Sequence, residues 1–266
     1  MGRVPVRKAR QSKMNSGSNS LDGDRARYRR INLALAVIAA VLFVWYMKDY
    51  RWSVVWKSAP LLLSGLWNSW ILTITSVAVG LPLGIVLAIA RTSRLRVLRA
   101  LSISYIEVVR ATPQIMLIFW VFFAVPAFTG SRIPPWPAAI ISLSLIAAAY
   151  LAEVVRGGIR SVPNVLIETG HASGLSRHDV LRFIVIPQAL RTMIPAIIAH
   201  VVMMFKITSV IYIIGITDFF RAVILVNNRV YEPLPLYLTL AAGYFICCYA
   251  LSRIVRLFDS KVMLNV

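Results

Sequence analysis

Apolar residues gather into six runs along the chain, at 31–47, 62–90, 106–128, 133–155, 193–215 and 236–254. A helix needs about 20 apolar residues to cross a bilayer, and each run approaches or exceeds that length. Polar positions fall between the runs, so the pattern predicts an all-α, polytopic transmembrane bundle of about six spans. Residues 1–30 are polar, basic and rich in Ser, Gly and Asn, and read as a disordered tail. Residues 31–50 would hold an extra N-terminal span, 62–256 the main transmembrane domain, and 257–266 a C-terminal tail. The outer segment 217–235 carries aromatic residues and has room for a short interfacial helix.

One polar interruption is long. Residues 167–187 read IETGHASGLSRHDVLRFIVIP, inside a polar segment spanning 160–190. Pro163 suits the first turn of a helix, which would run from about 164 to 173. Gly174 permits the left-handed backbone that ends a helix. Ser176 is a natural N-cap for a second helix, with Asp179 three residues on resembling a capping box. That helix would present Val180, Phe183 and Ile184 on one face, until Pro187 breaks the pattern ahead of the fifth span. The expected product is a helix–turn–helix elbow outside the bilayer.

Composition supports a membrane protein. Of 266 residues, 59% are hydrophobic and 15% charged, against about 25% charged in soluble domains. The net charge of +19 could indicate nucleic-acid binding, but the basic residues lie between apolar runs and read as topology signals. With the N-terminus inside, 21 Lys and Arg fall on the inner side and six on the outer. This places both termini and the elbow in the cytoplasm. No cleavable signal peptide is apparent. Cys247 and Cys248 sit in an apolar run and read as small buried hydrophobes.

The elbow resembles the cytoplasmic motif of importer permeases of the ATP-binding-cassette class. That motif has Glu followed by two alanines, a Gly after three more residues, and an Ile-x-Leu-Pro ending. Here it reads Glu168-Thr169-Gly170, then Gly174, then Ile184-Val185-Ile186-Pro187. Thr169 and Gly170 replace the alanines, and Gly170 weakens the first helix by about 1 kcal/mol relative to Ala. Ile186 stands where the family has Leu. AAYLAEVVRGGIRSVP (148–163), YIEVVRATPQIMLIFWVFF (105–123) and IPQALRTMIPAI (186–197) are similar to the polar amino-acid permeases, and FKITSVIYIIG (205–215) more weakly so. The resemblance covers about residues 62–255 and implies the type I importer permease fold. That family usually has five spans and an outside N-terminus, so the run 31–47 would be an addition.

What the resemblance implies is a lever. Glu168, Gly174, Ile184, Ile186 and Pro187 would couple the chain to separate ATPase subunits, which bind the ATP; the chain itself would need no cofactor. Other expected partners are an external solute-binding protein, a second permease copy (the same or related), membrane lipid, and a polar amino acid or a close analogue such as an opine. Nucleic acid is not expected. No Walker loop, dinucleotide fingerprint or nucleophile elbow occurs in the sequence, so no catalytic role is expected.

Ionisable residues inside spans are costly and are candidates for function. Lys206, placed near the middle of the fifth span and followed by Thr208 and Ser209, could meet a substrate carboxylate. It could equally pair with Glu107 or Glu153. The permease subfamily commonly has Asp or Asn after this lysine, where this chain has Ile207. Glu153, with Arg156, suggests a gate or an interhelical pair. Asn68 and Thr73 suggest helix–helix hydrogen bonds at depth, with Asn68 kept as a pathway candidate. His171 and His178 read as surface residues and His200 as a hydrogen-bonded interior one; no metal site is indicated. An ATP-independent carrier or channel is the competing reading, and it would need no elbow. A membrane scaffold or enzyme subunit would need a catalytic cluster.

Overall fold

The computed structural model describes residues 48–263. The basic tail and the apolar run 31–47 lie outside these residues. Among those described, helices follow one another without strands. They are α1 (Ser53–Lys57), α2 (Ala59–Thr92), α3 (Arg96–Ala111), α4 (Gln114–Thr129) and α5 (Pro135–Arg160). Then come α6 (Asn164–Ala172), α7 (Arg177–Ile214), α8 (Phe219–Val230) and α9 (Pro233–Met263). Helices α2, α5, α7 and α9 are each long and apolar enough to cross a membrane.

The run 106–128 is not one straight span. Helices α3 and α4 meet at an angle of 111°. The break lies at Thr112-Pro113, where proline excludes the preceding residue from helical geometry. Thr112 is accordingly extended, at φ −86° and ψ 136°. The pair can count as a fifth, bent span.

The predicted break at Pro187 is also absent. Helix α7 runs through it for 38 residues, beginning in the elbow. Proline lacks the N–H that an α-helical bond requires. The helix meets this with a π-helical stretch at Val180–Val185 immediately before, a known way of absorbing a misfit inside a helix.

Helices α2 and α5 make the most extensive contact in the bundle. Lipid tails are as apolar as leucine, so helices in a membrane associate by close packing and not by hydrophobic exclusion. The sequence Gly80-Leu81-Pro82-Leu83-Gly84 supplies two small residues four apart. A Cβ on Gly84 would lie 3.0 Å from Ala148 O and from Ala152 N, both backbone atoms. One on Gly80 would lie 2.6 Å from the Ala147 methyl. Above this contact, Leu72, Leu143, Ile146, Met204 and Ile211 form a buried centre joining α2, α5 and α7. A second cluster, Ala88, Ile106, Ala152, Val155, Val180 and Ala189, fixes the elbow to the ends of the spans. A third, around Leu62, Phe219, Val223 and Leu236, closes the opposite end.

Candidate functional site

The elbow is built from two short-range capping devices. At the end of α6, Gly174 adopts φ +84°. Its N–H donates to His171 O at 3.0 Å, and Leu175 N–H donates to Gly170 O at 3.1 Å. These two bonds satisfy the last carbonyls of the helix, as in a Schellman motif. At the start of α7, Ser176 Oγ accepts from Asp179 N–H at 3.2 Å. The Ser176 hydroxyl also donates to Asp179 Oδ2 at 2.6 Å. The reciprocal bond therefore goes to the cap hydroxyl and not to its backbone, a variation on the expected capping box.

Packing fixes the angle between the arms. Val180 and Val185 are buried, and Ile184 is half-buried. Phe183, expected on the same face, is 63% exposed; the π-helical stretch changes the rotation per residue and turns it outward. Gly170 is buried. A Cβ there would lie 2.6 Å from Ile184 Cδ1 and 3.1 Å from Val180 Cγ2. The missing alanine of the motif is thus matched by a close approach of the second arm.

The elbow also presents an open surface. Glu168 is exposed and makes no ion pair with a described residue. Val165, Leu181, Phe183 and Ile186 of the elbow are also exposed, as are Gly174 and Pro187. His171 and His178 are exposed, as expected. A rigid apolar surface carrying one free carboxylate can receive a protein partner; it offers no reactive cluster.

The membrane-interior candidates separate. Glu153 bridges Arg91 at the end of α2 and Arg156, 2.5 Å away on its own helix. It thereby joins α2 to α5 as an interhelical ion pair. Asn68 Nδ2 donates to Thr217 O at 2.8 Å. Thr208 Oγ1 donates to Phe205 O and Ser209 Oγ to Lys206 O, both at 2.8 Å. Lys206 is exposed, lies near the middle of the run 193–215, and pairs with neither Glu107 nor Glu153. Cys247 and Cys248 are half-buried rather than buried. His200 is buried, but its Nε2 has no hydrogen-bond partner among the described residues; its ring stacks on Tyr150 instead, with centroids 5.6 Å apart.

Two features escaped the sequence reading. One is the Gly80/Gly84 pair, whose four-residue spacing was available as a signal. The other is Asp218, fully buried at the start of α8. Its carboxylate accepts from Phe220 N–H at 3.1 Å and Arg221 N–H at 3.0 Å. Ser69 of α2 accepts from Phe219 N–H at 3.1 Å. Burial pushes the Asp218 carboxyl up to about 6, against the lowering effect of these bonds and of Arg221.

Comparison with known proteins gives a consistent family. Residues 80–264 match the family described as binding-protein-dependent transport system inner membrane component. The chain is 31% identical over 217 residues to the glutamine transport system permease protein GlnP of Escherichia coli (strain K12), covering 80% of this chain and 98% of that protein. It is 32% identical over 213 residues to the L-cystine transport system permease protein TcyB of Bacillus subtilis (strain 168), covering 79% of this chain and 91% of the relative. Among solved structures, an amino acid ABC transporter crystallised with histidines superposes with a TM-score of 0.76 at 28% identity, covering 79% of this chain and 98% of that one.

Proposed function

Since the chain belongs to the binding-protein-dependent transport system inner membrane component family, we propose that it is the permease subunit of an ATP-driven importer for polar amino acids or close analogues such as opines. Its place is the cytoplasmic membrane, with both termini and the elbow on the cytoplasmic side. ATP is bound and hydrolysed by separate ATPase subunits. A second permease copy completes the translocation path, and an external solute-binding protein delivers the substrate.

The observation that carries this reading is the elbow's connection to α7. The surface around Glu168 is exposed, and the helix that leaves the elbow continues unbroken to Ile214. Motion imposed on the elbow by an ATPase therefore reaches the membrane interior without crossing a flexible joint. The two capping devices keep the arms from folding independently. Glu168, Gly174, Ile184, Ile186 and Pro187 act as the coupling set: carboxylate contact, bend, packing and apolar contact.

Among the pathway candidates, Glu153 and Asn68 are engaged in structural contacts, which leaves Lys206 to meet a substrate carboxylate. The glutamine and cystine named for two relatives, and the amino acid transporter structure, favour an amino acid over other solutes. The deciding experiment is uptake into proteoliposomes containing permease, ATPase and binding protein, screened over amino acids and opines. Uptake requires ATP, and Lys206→Met weakens the apparent substrate affinity. Equal uptake without nucleotide overturns the importer reading, and unchanged affinity in Lys206→Met removes that residue from the substrate path.

A further inference from the structure

A strongly basic patch lies where α2 ends and α3 begins. Residues 91–101 read RTSRLRVLRAL. They carry four arginines, and no acidic residue occurs between Asp49 and Glu107. Arg91 is engaged by Glu153. Arg94, Arg96 and Arg99 are exposed and make no ion pair with a described residue.

Every residue from 94 to 101 is exposed. Aliphatic side chains alternate with the arginines: Leu95 is 63% exposed, Val97 71%, Leu98 46% and Leu101 64%. Farther along, α3 is anchored to the bundle. Ser102 Oγ donates to Leu87 O at 2.7 Å, and Ile106 is fully buried. The first turns of α3 therefore project from a fixed base, at a point where the apolar α2 has just ended.

We infer that Arg94, Arg96 and Arg99, with Leu95, Val97, Leu98 and Leu101, form a binding surface for anionic phospholipid. A segment of alternating guanidinium and aliphatic groups matches the boundary between phosphate headgroups and acyl chains. Guanidinium donates in pairs to phosphate oxygens, while the leucines and valine enter the outer acyl region.

Charge selects lipid over the chain's own kind. The chain has 29 basic and 10 acidic residues, so a second copy offers few carboxylates and mostly repels three free arginines. An anionic leaflet offers negative charge at high density. Each arginine near such a surface contributes about 1 kcal/mol, or roughly fivefold in affinity. Three together give a preference on the order of a hundredfold.

The test uses the purified full chain in neutral detergent. Its thermal unfolding midpoint is followed while phosphatidylglycerol or phosphatidylcholine with matched acyl chains is titrated in. The wild type gains stability at lower phosphatidylglycerol than phosphatidylcholine concentration, and the difference shrinks with added salt. The variant R94Q/R96Q/R99Q needs on the order of a hundredfold more phosphatidylglycerol, and Arg96→Gln alone about fivefold more. R94K/R96K/R99K retains most of the preference, and Arg132→Gln, elsewhere on the chain, is unchanged. Equal responses to the two lipids in the wild type overturn the assignment. So does an undiminished phosphatidylglycerol response in Arg96→Gln and the triple Gln variant. No transport is measured, so failure here is separable from failure of the importer reading.

Discussion

The elbow at 164–185 and the turn at 216–221 are both polar interruptions beside α7, and they solve the same problem in opposite ways. Each starts a helix with a side-chain cap: Ser176 for α7 and Asp218 for α8. The elbow leaves its cap, its carboxylate Glu168 and much of its apolar surface exposed. The turn at 216–221 buries its cap completely and binds itself to α2 through Ser69 and Asn68. A buried polar turn must satisfy its own groups, because an unpaired one costs about 1–3 kcal/mol. The elbow is free of that requirement only because something outside the chain can meet it. One turn is left open and the other is closed.

The sharpest way to break the comparison is to remove the elbow's bend. Gly174→Pro cannot adopt φ +84° and loses the N–H that donates to His171 O. The local cost is about 3 kcal/mol or more, and it falls on the joint between the arms. ATP-dependent uptake is expected to disappear while the protein still inserts and purifies. Normal uptake would show that the elbow is not the lever. Glu168→Lys follows, because it reverses an exposed charge and disturbs no described ion pair. Uptake and substrate-stimulated ATPase activity should be lost, with the thermal midpoint unchanged.

The turn at 216–221 predicts the reverse: stability changes first. Asp218→Ala removes the cap of α8 and should cost about 1–2 kcal/mol, seen as a lower thermal midpoint in detergent. Asp218→Asn keeps a capping oxygen and should be nearly neutral below about pH 4, where the wild-type carboxyl is also uncharged. The two also differ in pH dependence. The folded carboxyl sits at about 6, above its ordinary 3.8. The folded state therefore holds this proton more tightly than the unfolded state does. The resulting stabilisation is complete below about pH 4, is lost as pH rises through 6, and changes little above that. Asp218→Asn should remove this fall between pH 4 and 6. An identical pH profile in the wild type and Asp218→Asn would mean that the buried carboxyl does not titrate in this range.

What could be read in the sequence followed local rules. The elbow's helix end at Gly174, its N-cap at Ser176 and the apolar runs 62–90, 133–155, 193–215 and 236–254 depend on neighbouring residues alone, and all were legible. The 111° break was partly legible, since Pro113 stood inside the run 106–128. Its position in an otherwise apolar stretch hid it. Pro187 misled in the other direction, because a π-helical stretch lets the helix continue past a proline and no simple sequence rule announces one. Asp218 was invisible as a buried group. Nothing around it in sequence shows that α2 will supply Ser69 and Asn68 from about 150 residues away. Lys206 was placed by counting within an apolar run, which locates a residue along a helix but not the surface it faces.

The smallest predicted effect concerns Gly170, the elbow's clearest departure from the family motif. Alanine there gains about 1 kcal/mol in helix propensity. Against this, its methyl would stand 2.6 Å from Ile184 Cδ1 and 3.1 Å from Val180 Cγ2. The nearer atom is the end of a flexible side chain and can rotate away; the valine methyl is stiffer but needs to yield only a few tenths of an ångström. Overpacking of this kind costs about 1–3 kcal/mol where nothing can move, and less here. Gly170→Ala should therefore change the thermal midpoint little, with uptake within about twofold of wild type on the scale where 1.4 kcal/mol is tenfold. The double variant Gly170→Ala with Ile184→Val, which removes the crowding methyl, should be at least as active as Gly170→Ala alone. If Gly170→Ala abolishes uptake and Ile184→Val does not restore it, the arms need a separation that only glycine allows, and the angle between them is set more tightly than the Gly174 bend alone requires.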